Sequence, residues 1–277
     1  MIEVSVLILT LNEEMNLPRC LASLYWCNDV VVLDSKSTDR TQEIAASHNA
    51  RVFEREFDNY AAQRNFGLNE ITYKNSWLLM LDADEVVPQE LIDEIKIILS
   101  TGNDKTVLYR MRRKDYLFGK WIKRSSKYPI WFGRLMKIGQ IKIKREINEE
   151  YHADGQVDLL RHHLLHYPFN KGISAWVEKH NRYSSMEANL KFLQGPANFL
   201  WKHLFDSDPV VRRKNIKALF HKLPARPLLV FLGLYIVRLG LLEGRAGLTY
   251  CLLTSYYEFL IDIKINELKC RGKGVPI

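Results

Sequence analysis

The sequence predicts an α/β domain at residues 1–170, followed by a helical region at residues 171–277. Short apolar runs in the first part alternate with segments of helical character, and these runs lie at residues 4–9, 30–33, 51–54 and 78–81. Such alternation is typical of a parallel sheet with helical crossovers. Later in the chain the apolar residues recur at mixed three- and four-residue spacings, as they do in helices.

The composition fits a folded protein with an anionic partner. The chain has 277 residues, of which 47% are hydrophobic and 26% charged, and its formal net charge is +8. This charge favours a nucleotide, a nucleic acid or a membrane surface as partner. The four cysteines lack zinc-ligand spacing and lie too far apart for a disulfide framework, which indicates a reducing cytosol. The first residues enter a strand without a basic segment, so no signal peptide is expected.

An acidic stretch, residues 82–85, ends the apolar run at residues 78–81. In an extended chain Asp82 and Asp84 point to the same side, with their Cβ atoms about 7 Å apart. Two such charges repel each other by about 2 kcal/mol at an effective dielectric of about 20. A divalent cation between them would turn this repulsion into binding, and carboxylate oxygens suit Mg²⁺ or Mn²⁺. The residues alone leave a solvated acidic turn as the alternative.

Polar residues also follow two other apolar runs. Thr10 and Glu13 follow the run at residues 4–9, and Asp34 follows the run at residues 30–33. Open α/β sheets bind ligands at the carboxyl ends of their strands. A ligand site is therefore predicted at this edge of the sheet.

Four motifs resemble, in order, those of the family-2 glycosyltransferases with the GT-A fold. They are Leu-Thr-Leu-Asn-Glu at 9–13, Val-Leu-Asp-Ser-Lys-Ser-Thr-Asp at 32–39, Ala-Gln-Arg-Asn at 62–65 and Leu-Asp-Ala-Asp-Glu at 81–85. The resemblance covers about the first 170 residues and implies a Rossmann-like nucleotide-sugar domain with a mixed sheet. Where many members have Gly between the two serines of the second motif, this chain has Lys36.

The resemblance also implies roles for individual residues. Asp34 would contact the base of a nucleotide sugar, with Thr10 and Glu13 beside the nucleoside. Arg64 would face the phosphates, and Asp82 and Asp84 would hold the ribose, the sugar and Mg²⁺ or Mn²⁺. Guanidinium and metal charges would both neutralise the departing nucleotide diphosphate.

The acceptor side of the site is predicted after residue 115. Aromatic and basic residues between 116 and 134 would form an acceptor groove, unless the aromatic side chains are the core of a hairpin. The chain also resembles the lipopolysaccharide-core glucosyltransferases, in which a His-Glu pair supplies the acceptor carboxylate, and here Asn148 replaces the His. Glu149 is the candidate base, with Glu146 and Glu150 as rivals. His166 matches the family's His-Tyr and is a candidate additional metal ligand.

The helical region combines positive charge with an apolar run. Basic residues are frequent between 202 and 226, and residues 228–237 are apolar. A bilayer-spanning helix needs about 20 apolar residues, so this run predicts an amphipathic helix in an anionic membrane interface. The alternative is a helix buried in the protein. Residues 239–247 also resemble the tail of the lipopolysaccharide-core enzymes.

These features predict an inverting, metal-dependent glycosyltransferase on the cytoplasmic face of a bacterial inner membrane. It would move a hexose onto a lipid-anchored saccharide such as lipopolysaccharide core, and the favoured donor is UDP-glucose. Transfer to polyprenyl phosphate or to a protein side chain, and a nucleotide-sugar-binding module without turnover, are the alternatives. A nucleic-acid-binding protein ranks last, because the positive charge lies beside an apolar segment rather than in a nucleic-acid motif.

Overall fold

The chain forms two compact units. The computed structural model describes residues 2–101, 105–126, 128–144, 150–194, 200–220 and 225–276. The first unit comprises Met1–Lys114 and Trp131–Lys171, and the second comprises Asp115–Ile130 and Gly172–Ile277. The sequence-based boundary after residue 170 assigns residues 115–130 to the first domain, whereas these residues pack with the carboxyl-terminal helices.

A mixed sheet is the centre of the first unit, in agreement with the predicted fold class. Its strands run in the order β3-β2-β1-β4-β8-β6-β11-β5, with β7 paired to the end of β6 and β9 paired separately with β10. The first four strands of this order are parallel to one another, and β8 is antiparallel to both β4 and β6. The strands are β1 (Val4–Thr10), β2 (Val30–Asp34), β3 (Arg51–Glu54), β4 (Trp77–Asp82), β5 (Glu85–Val86), β6 (Thr106–Leu117), β7 (Lys120–Trp121), β8 (Trp131–Lys137), β9 (Ile141–Lys144), β10 (Glu150–Ala153) and β11 (Gln156–His166).

Both faces of the parallel strands are buried, as their continuous apolar runs predict. Ile8 and Leu81 belong to the core on one face, and Leu7 and Met80 belong to the core on the other. The helices of this unit are α1 (Leu17–Ala22), α2 (Thr41–Ser47), α3 (Tyr60–Asn69) and α4 (Gln89–Thr101).

Helix α3 lies close to the sheet and positions Arg64. Its N-cap residue, Asn59, accepts a hydrogen bond from the Ala62 N–H through its side chain, which satisfies a donor of the first turn. A Cβ atom at Gly67 would lie 2.4 Å from Cδ2 of Leu7. A larger residue at this position would therefore require the buried Leu7 side chain, or the helix, to move.

Lys36 occupies a backbone conformation that suits glycine. Its φ is +61°, in the left-handed region, and its side chain pairs with exposed Glu56 at 3.2 Å. Lys36→Gly should raise the free energy of unfolding by about 1 kcal/mol, because a residue with a Cβ is strained here and an exposed ion pair contributes little. Chemical denaturation measures this change. Lys36→Ala, which loses the ion pair but keeps the Cβ, should show no gain, and equal effects of the two substitutions would contradict the explanation.

The second unit is helical outside its inserted segment. It contains α5 (Ile173–Gln194), α6 (Pro209–Phe220), α7 (Arg226–Leu232) and α8 (Gly244–Gly272), with a π-helical turn at Gly233–Val237 and 3-10 turns at Trp201–Phe205 and Gly240–Glu243. Helices α5 and α8 are joined through Lys264, whose Nζ donates to Oδ1 of Asn181 at 2.7 Å and to Oγ of Ser184 at 2.8 Å.

Arg226 is not the surface cation that the basic composition of residues 202–226 predicts. Its side chain is buried and pairs with Glu258 Oε2 at 2.9 Å and with Asp262 Oδ1 at 3.1 Å. The guanidinium group thus fixes α7 to α8, because a buried charge requires partners of opposite sign. Arg212, in contrast, is exposed.

In the described part of the chain, no single helix has the length and apolar composition needed to cross a bilayer. The helical pair Arg226–Val237 and Gly240–Gly272, which bends by 69° at its break, meets that criterion jointly.

Candidate active site

The carboxyl ends of β1, β2 and β4 bring the predicted donor residues to one edge of the sheet. In the strand register Thr10 lies opposite Asp34, and Leu9 lies opposite Asp82. Thr10 Oγ1 donates a hydrogen bond to Asp34 Oδ2 at 2.7 Å. The structure thus brings these residues from separate motifs to one edge of the sheet, and their role in binding a ligand stays a prediction.

Asp34 organises the loop that follows β2. Its carboxylate is fully buried and, besides Thr10, accepts hydrogen bonds from Ser37 N at 2.7 Å, Ser37 Oγ at 2.6 Å and Gln42 Nε2 at 2.9 Å. These bonds fix the loop from Asp34 to Gln42. The contact between Asp34 and a nucleotide base stays a prediction, and within the structure this carboxylate acts as a support for the loop.

A cluster of arginines surrounds the first aspartate of the acidic motif. We call Arg64, Arg113 and Arg134, together with Asp82 and Glu85, the arginine cluster. Arg64 Nη2 lies 2.7 Å from Asp82 Oδ1, and Arg134 Nη2 lies 2.5 Å from Asp82 Oδ2 and 2.7 Å from Glu85 Oε1. Arg113 Nη1 is 3.2 Å from Glu85 Oε1 and 3.8 Å from Asp82 Oδ2.

The charges of the arginine cluster stabilise each other. Burial raises the pKa of the Asp82 carboxyl, but the guanidinium groups of Arg134, Arg64 and Arg113 outweigh it and hold that pKa well below its usual range. Burial lowers the pKa of Arg134, but the carboxylates of Asp82 and Glu85 outweigh it and raise that pKa. Both partners are thus ionised, and the side chain of Asp82 is the most exposed of the group, at 30%.

Asp84 faces a different partner, His166. The His166 Nε2 atom lies 3.3 Å from Asp84 Oδ2. Two backbone contacts hold this geometry: His166 pairs with Glu85 where β11 meets β5, and the Tyr167 N–H donates to the Asp84 carbonyl at 2.9 Å. The antiparallel strand β11 thus carries His166 to the acidic motif from more than eighty positions away in the sequence.

A carboxylate oxygen suits Mg²⁺ and Mn²⁺, whereas an imidazole nitrogen suits transition-metal ions rather than Mg²⁺. A carboxylate beside an imidazole therefore fits Mn²⁺ better than Mg²⁺ in a site that phosphate oxygens complete. Asp84 and His166 form such a pair. No group of three His, Cys, Asp or Glu side chains with metal-binding geometry occurs among the described residues. Asp82 contacts arginines instead, so its predicted role as a metal ligand has no support from its contacts, while Asp84 and His166 fit a cation.

Glu13 lies in the same electrostatic environment. Burial raises the pKa of the Glu13 carboxyl, and the Asp84 carboxylate raises it further against the hydrogen bond from Asn16 and the charge of Lys171. Lys171 Nζ donates to Glu13 Oε1 at 2.9 Å, and Asn16 Nδ2 donates to Glu13 Oε2 at 2.7 Å. A cation held by Asp84 would relieve the repulsion between the two carboxylates.

The acceptor side is described only in part. Glu149, the predicted base, lies outside the described residues, as does its rival Glu146. The predicted aromatic and basic groove is divided, because residues 116–128 belong to the second unit and residues 131–134 to the first. In the first unit, the Cζ atom of Arg112 lies 4.7 Å from the ring centre of Trp131, and the Cζ atom of Arg113 lies 4.0 Å from the ring centre of Phe132.

Sequence reasoning missed the roles of Glu85, Arg113, Arg134 and Lys171. The sequence pattern places Arg134 in the acceptor groove, yet Arg134 also precedes the apolar pair Leu135-Met136, which indicates a buried strand position. A charged residue within a buried strand requires an opposite charge nearby. That signal points to Arg134, but it does not identify the partner.

Comparisons with known proteins agree with the motifs. The model of glycosyl transferase family 2 matches residues 5–174. The lipopolysaccharide core biosynthesis glycosyltransferase LpsC of Rhizobium meliloti is 27% identical over 273 residues, which cover 95% of this chain and 92% of LpsC. An uncharacterized glycosyltransferase of Rickettsia typhi is 27% identical over 287 residues, which cover 99% of this chain and 90% of that protein.

Among solved structures, glucosyl-3-phosphoglycerate synthase from Mycobacterium tuberculosis, in complex with Mn²⁺, UDP and glucosyl-3-phosphoglycerate, is similar to part of the chain. The identity is 25% and the TM-score 0.34, with 40% of this chain and 43% of that chain covered. A likeness of this extent does not define a donor or a metal for the present protein. The family match covers more than half of the chain, and the chain therefore belongs to glycosyl transferase family 2.

Proposed function

We propose that the protein is an inverting, metal-assisted glycosyltransferase that moves a hexose from a UDP-hexose, with UDP-glucose as the first candidate, to a lipid-anchored saccharide such as lipopolysaccharide core. The observation that carries the proposal is the Asp84–His166 pair beside the arginine cluster, at the carboxyl edge of the sheet. The similarity to LpsC supports the choice of acceptor. Such an acceptor would be met at the cytoplasmic face of a bacterial inner membrane.

The groups at this edge suit departure of a nucleotide diphosphate. Asp84 and His166 would hold Mg²⁺ or Mn²⁺, which when bound neutralises the developing charge of the diphosphate. Arg113, whose side chain is the most exposed of the cluster arginines at 18%, would contribute a guanidinium to the same phosphates. Asp82 and Glu85 hold the guanidinium groups in place, so that little reorganisation is needed during the reaction.

Inversion also requires a base on the acceptor side. The base would take the proton of the acceptor hydroxyl while its oxygen attacks opposite the leaving nucleotide. Glu149 remains the predicted residue for this step.

A panel of UDP-, GDP- and TDP-hexoses tests the proposed donor and metal. The purified protein should release UDP from a UDP-hexose in the presence of Mn²⁺ or Mg²⁺, and EDTA should stop the release. UDP release that continues at the same rate in EDTA would contradict the metal, and a preference for a GDP- or TDP-hexose would contradict the donor. Absence of release from every donor, together with absence of nucleotide binding, would contradict the function.

A further inference from the structure

The second unit exposes apolar side chains where its helices bend. The bend separates Arg226–Val237 from Gly240–Gly272. We call residues 236–242 the apolar tip, and its exposed aliphatic residues are Ile236, Val237, Leu239, Leu241 and Leu242. Val237 is 80% exposed and Leu242 58%. Five exposed large aliphatic side chains thus lie within seven positions of the chain, and exposed apolar residues concentrated in this way mark interaction sites.

The backbone of the apolar tip is tightly constrained. Leu239 has a φ of +59°, a conformation that is an outlier for a bulky residue. Next to it, a Cβ atom at Gly240 would lie 2.7 Å from the carbonyl oxygen of Leu234, and one at Gly247 would lie 2.2 Å from the carbonyl oxygen of Gly240. Strained positions of this kind persist where the surroundings fix them, and they cluster at functional sites.

Hydrogen bonds connect the apolar tip and the adjacent Glu243 to the inserted segment Asp115–Ile130. The buried carboxylate of Glu243 accepts hydrogen bonds from Arg124 N at 2.7 Å and Ser125 N at 3.0 Å, and it also accepts one from Ser125 Oγ. Arg238 donates to the Tyr128 carbonyl oxygen. The segment and the apolar tip therefore form one local structure within the second unit.

Among the described residues of Asp115–Ile130 and of positions 236–245, the exposed charges are positive. Asp115 in the segment and Glu243, which directly follows the tip, are the acidic residues of these stretches, and both are buried. The exposed cations in the same stretches and just beyond the tip are Lys120, Lys123, Arg124, Arg238 and Arg245. Lys123 Nζ lies 5.3 Å from the ring centre of Trp121, so an aromatic face stands among the cations. This combination matches the chemistry of an anionic bilayer surface. The apolar residues would meet the boundary of the acyl chains, and the cations and the aromatic ring would meet the headgroups.

We propose that the apolar tip inserts into the interface of an anionic membrane, and that the cations of Asp115–Ile130 contact its headgroups. The inference deepens the proposed function, because a lipid-anchored acceptor has to be reached at a bilayer. It also moves the inserting residues from the apolar run at 228–237, which the sequence predicts, to the bend at 236–242. The ring centres of Phe231 and Tyr235 lie 5.3 Å apart within the unit, whereas Val237 and Leu242, at the bend, are 80% and 58% exposed.

Vesicle sedimentation tests the inference with matched variants. The wild-type protein should bind vesicles of phosphatidylcholine mixed with phosphatidylglycerol. Val237→Ser/Leu242→Ser should bind at least about tenfold more weakly, since it removes two inserting side chains. Leu193→Ser/Phe205→Ser, at positions 81% and 90% exposed in the same unit, should bind like the wild type. Lys123→Glu/Arg124→Glu should lose the salt-sensitive part of binding while keeping the salt-resistant part.

Thermal melts of all variants exclude unfolding as the cause of lost binding, and the substituted side chains are solvent-exposed. Wild-type protein that stays in the supernatant, or equal losses in the tip and control variants, would overturn the inference. UDP release is measured in the absence of vesicles, so the test of the proposed function does not depend on membrane binding. Vesicle binding by a protein that neither binds a nucleotide nor releases UDP from any donor would refute the function and leave the membrane site intact. UDP release without vesicle binding would do the reverse.

Discussion

Replacing Asp84 by Asn is expected to lower metal-dependent UDP release from a UDP-hexose by about 100-fold or more. A bound metal ion contributes several kcal/mol of charge stabilisation in the transition state, and each 1.4 kcal/mol or so changes the rate tenfold. Asp84 Oδ2 lies beside His166 Nε2, so the substitution would remove the negatively charged member of the proposed ligand pair. Steady-state assays at saturating Mn²⁺ measure the effect.

Glu90→Gln is the control for the Asp84 substitution. Glu90 is an exposed carboxylate at the start of α4, in the same unit, and its replacement by the amide should leave UDP release unchanged. Both variants should melt like the wild type. An Asp84→Asn enzyme with the wild-type rate would remove Asp84 from the proposed mechanism.

Replacing Arg134 by Met is expected to lower the free energy of unfolding by about 3 kcal/mol or more. The Arg134 side chain is 3% exposed and contacts both Asp82 and Glu85, of which the Glu85 side chain is fully buried. Without Arg134, the two carboxylates would share the remaining guanidinium groups of Arg64 and Arg113. Uncompensated charge in the interior accounts for the loss, and denaturant titration measures it.

Arg40→Met is the matched control, because it also removes an arginine from a carboxylate contact. Arg40 pairs with Glu43 on the surface, so no measurable change in stability is expected. The double variant Arg134→Met/Glu85→Gln also removes the buried Glu85 charge that Arg134 no longer compensates. Part of the lost free energy of unfolding should therefore return. If Arg134→Met cost no more than Arg40→Met, the arginine cluster would not be a stabilising unit.

The sheet edge could be predicted from the sequence because its evidence is local. Each parallel strand is a continuous apolar run, and the first polar residue after the run marks the carboxyl end of the strand. Thr10, Asp34 and Asp82 therefore appear in the sequence as strand ends, and the strand register then brings them to one edge. His166 was identified by its motif, and the pairing of β11 with β5 gives that prediction a geometric basis.

The arginine cluster could not be predicted in the same way, because its partners are distant in sequence. Arg134 reaches Asp82 through the antiparallel pairing of β8 with β4, for which a short apolar run contains no register information. Buried and exposed arginines also look alike in a sequence. For the same reason the sequence predicts a surface cation at Arg226, whereas the structure pairs it with Glu258 and Asp262 on α8.

The most direct test of the proposed diphosphate site is the affinity of the protein for UDP with and without Mn²⁺, measured by titration calorimetry. This measurement requires neither the acceptor nor turnover. If Asp84 and His166 hold a cation that meets the diphosphate, Mn²⁺ should tighten UDP binding at least about tenfold, or about 1.4 kcal/mol. The gain should disappear in Asp84→Asn and persist in Glu90→Gln. Equal UDP affinity of the wild-type protein in Mn²⁺ and in EDTA would contradict a metal-assisted site at Asp84 and His166.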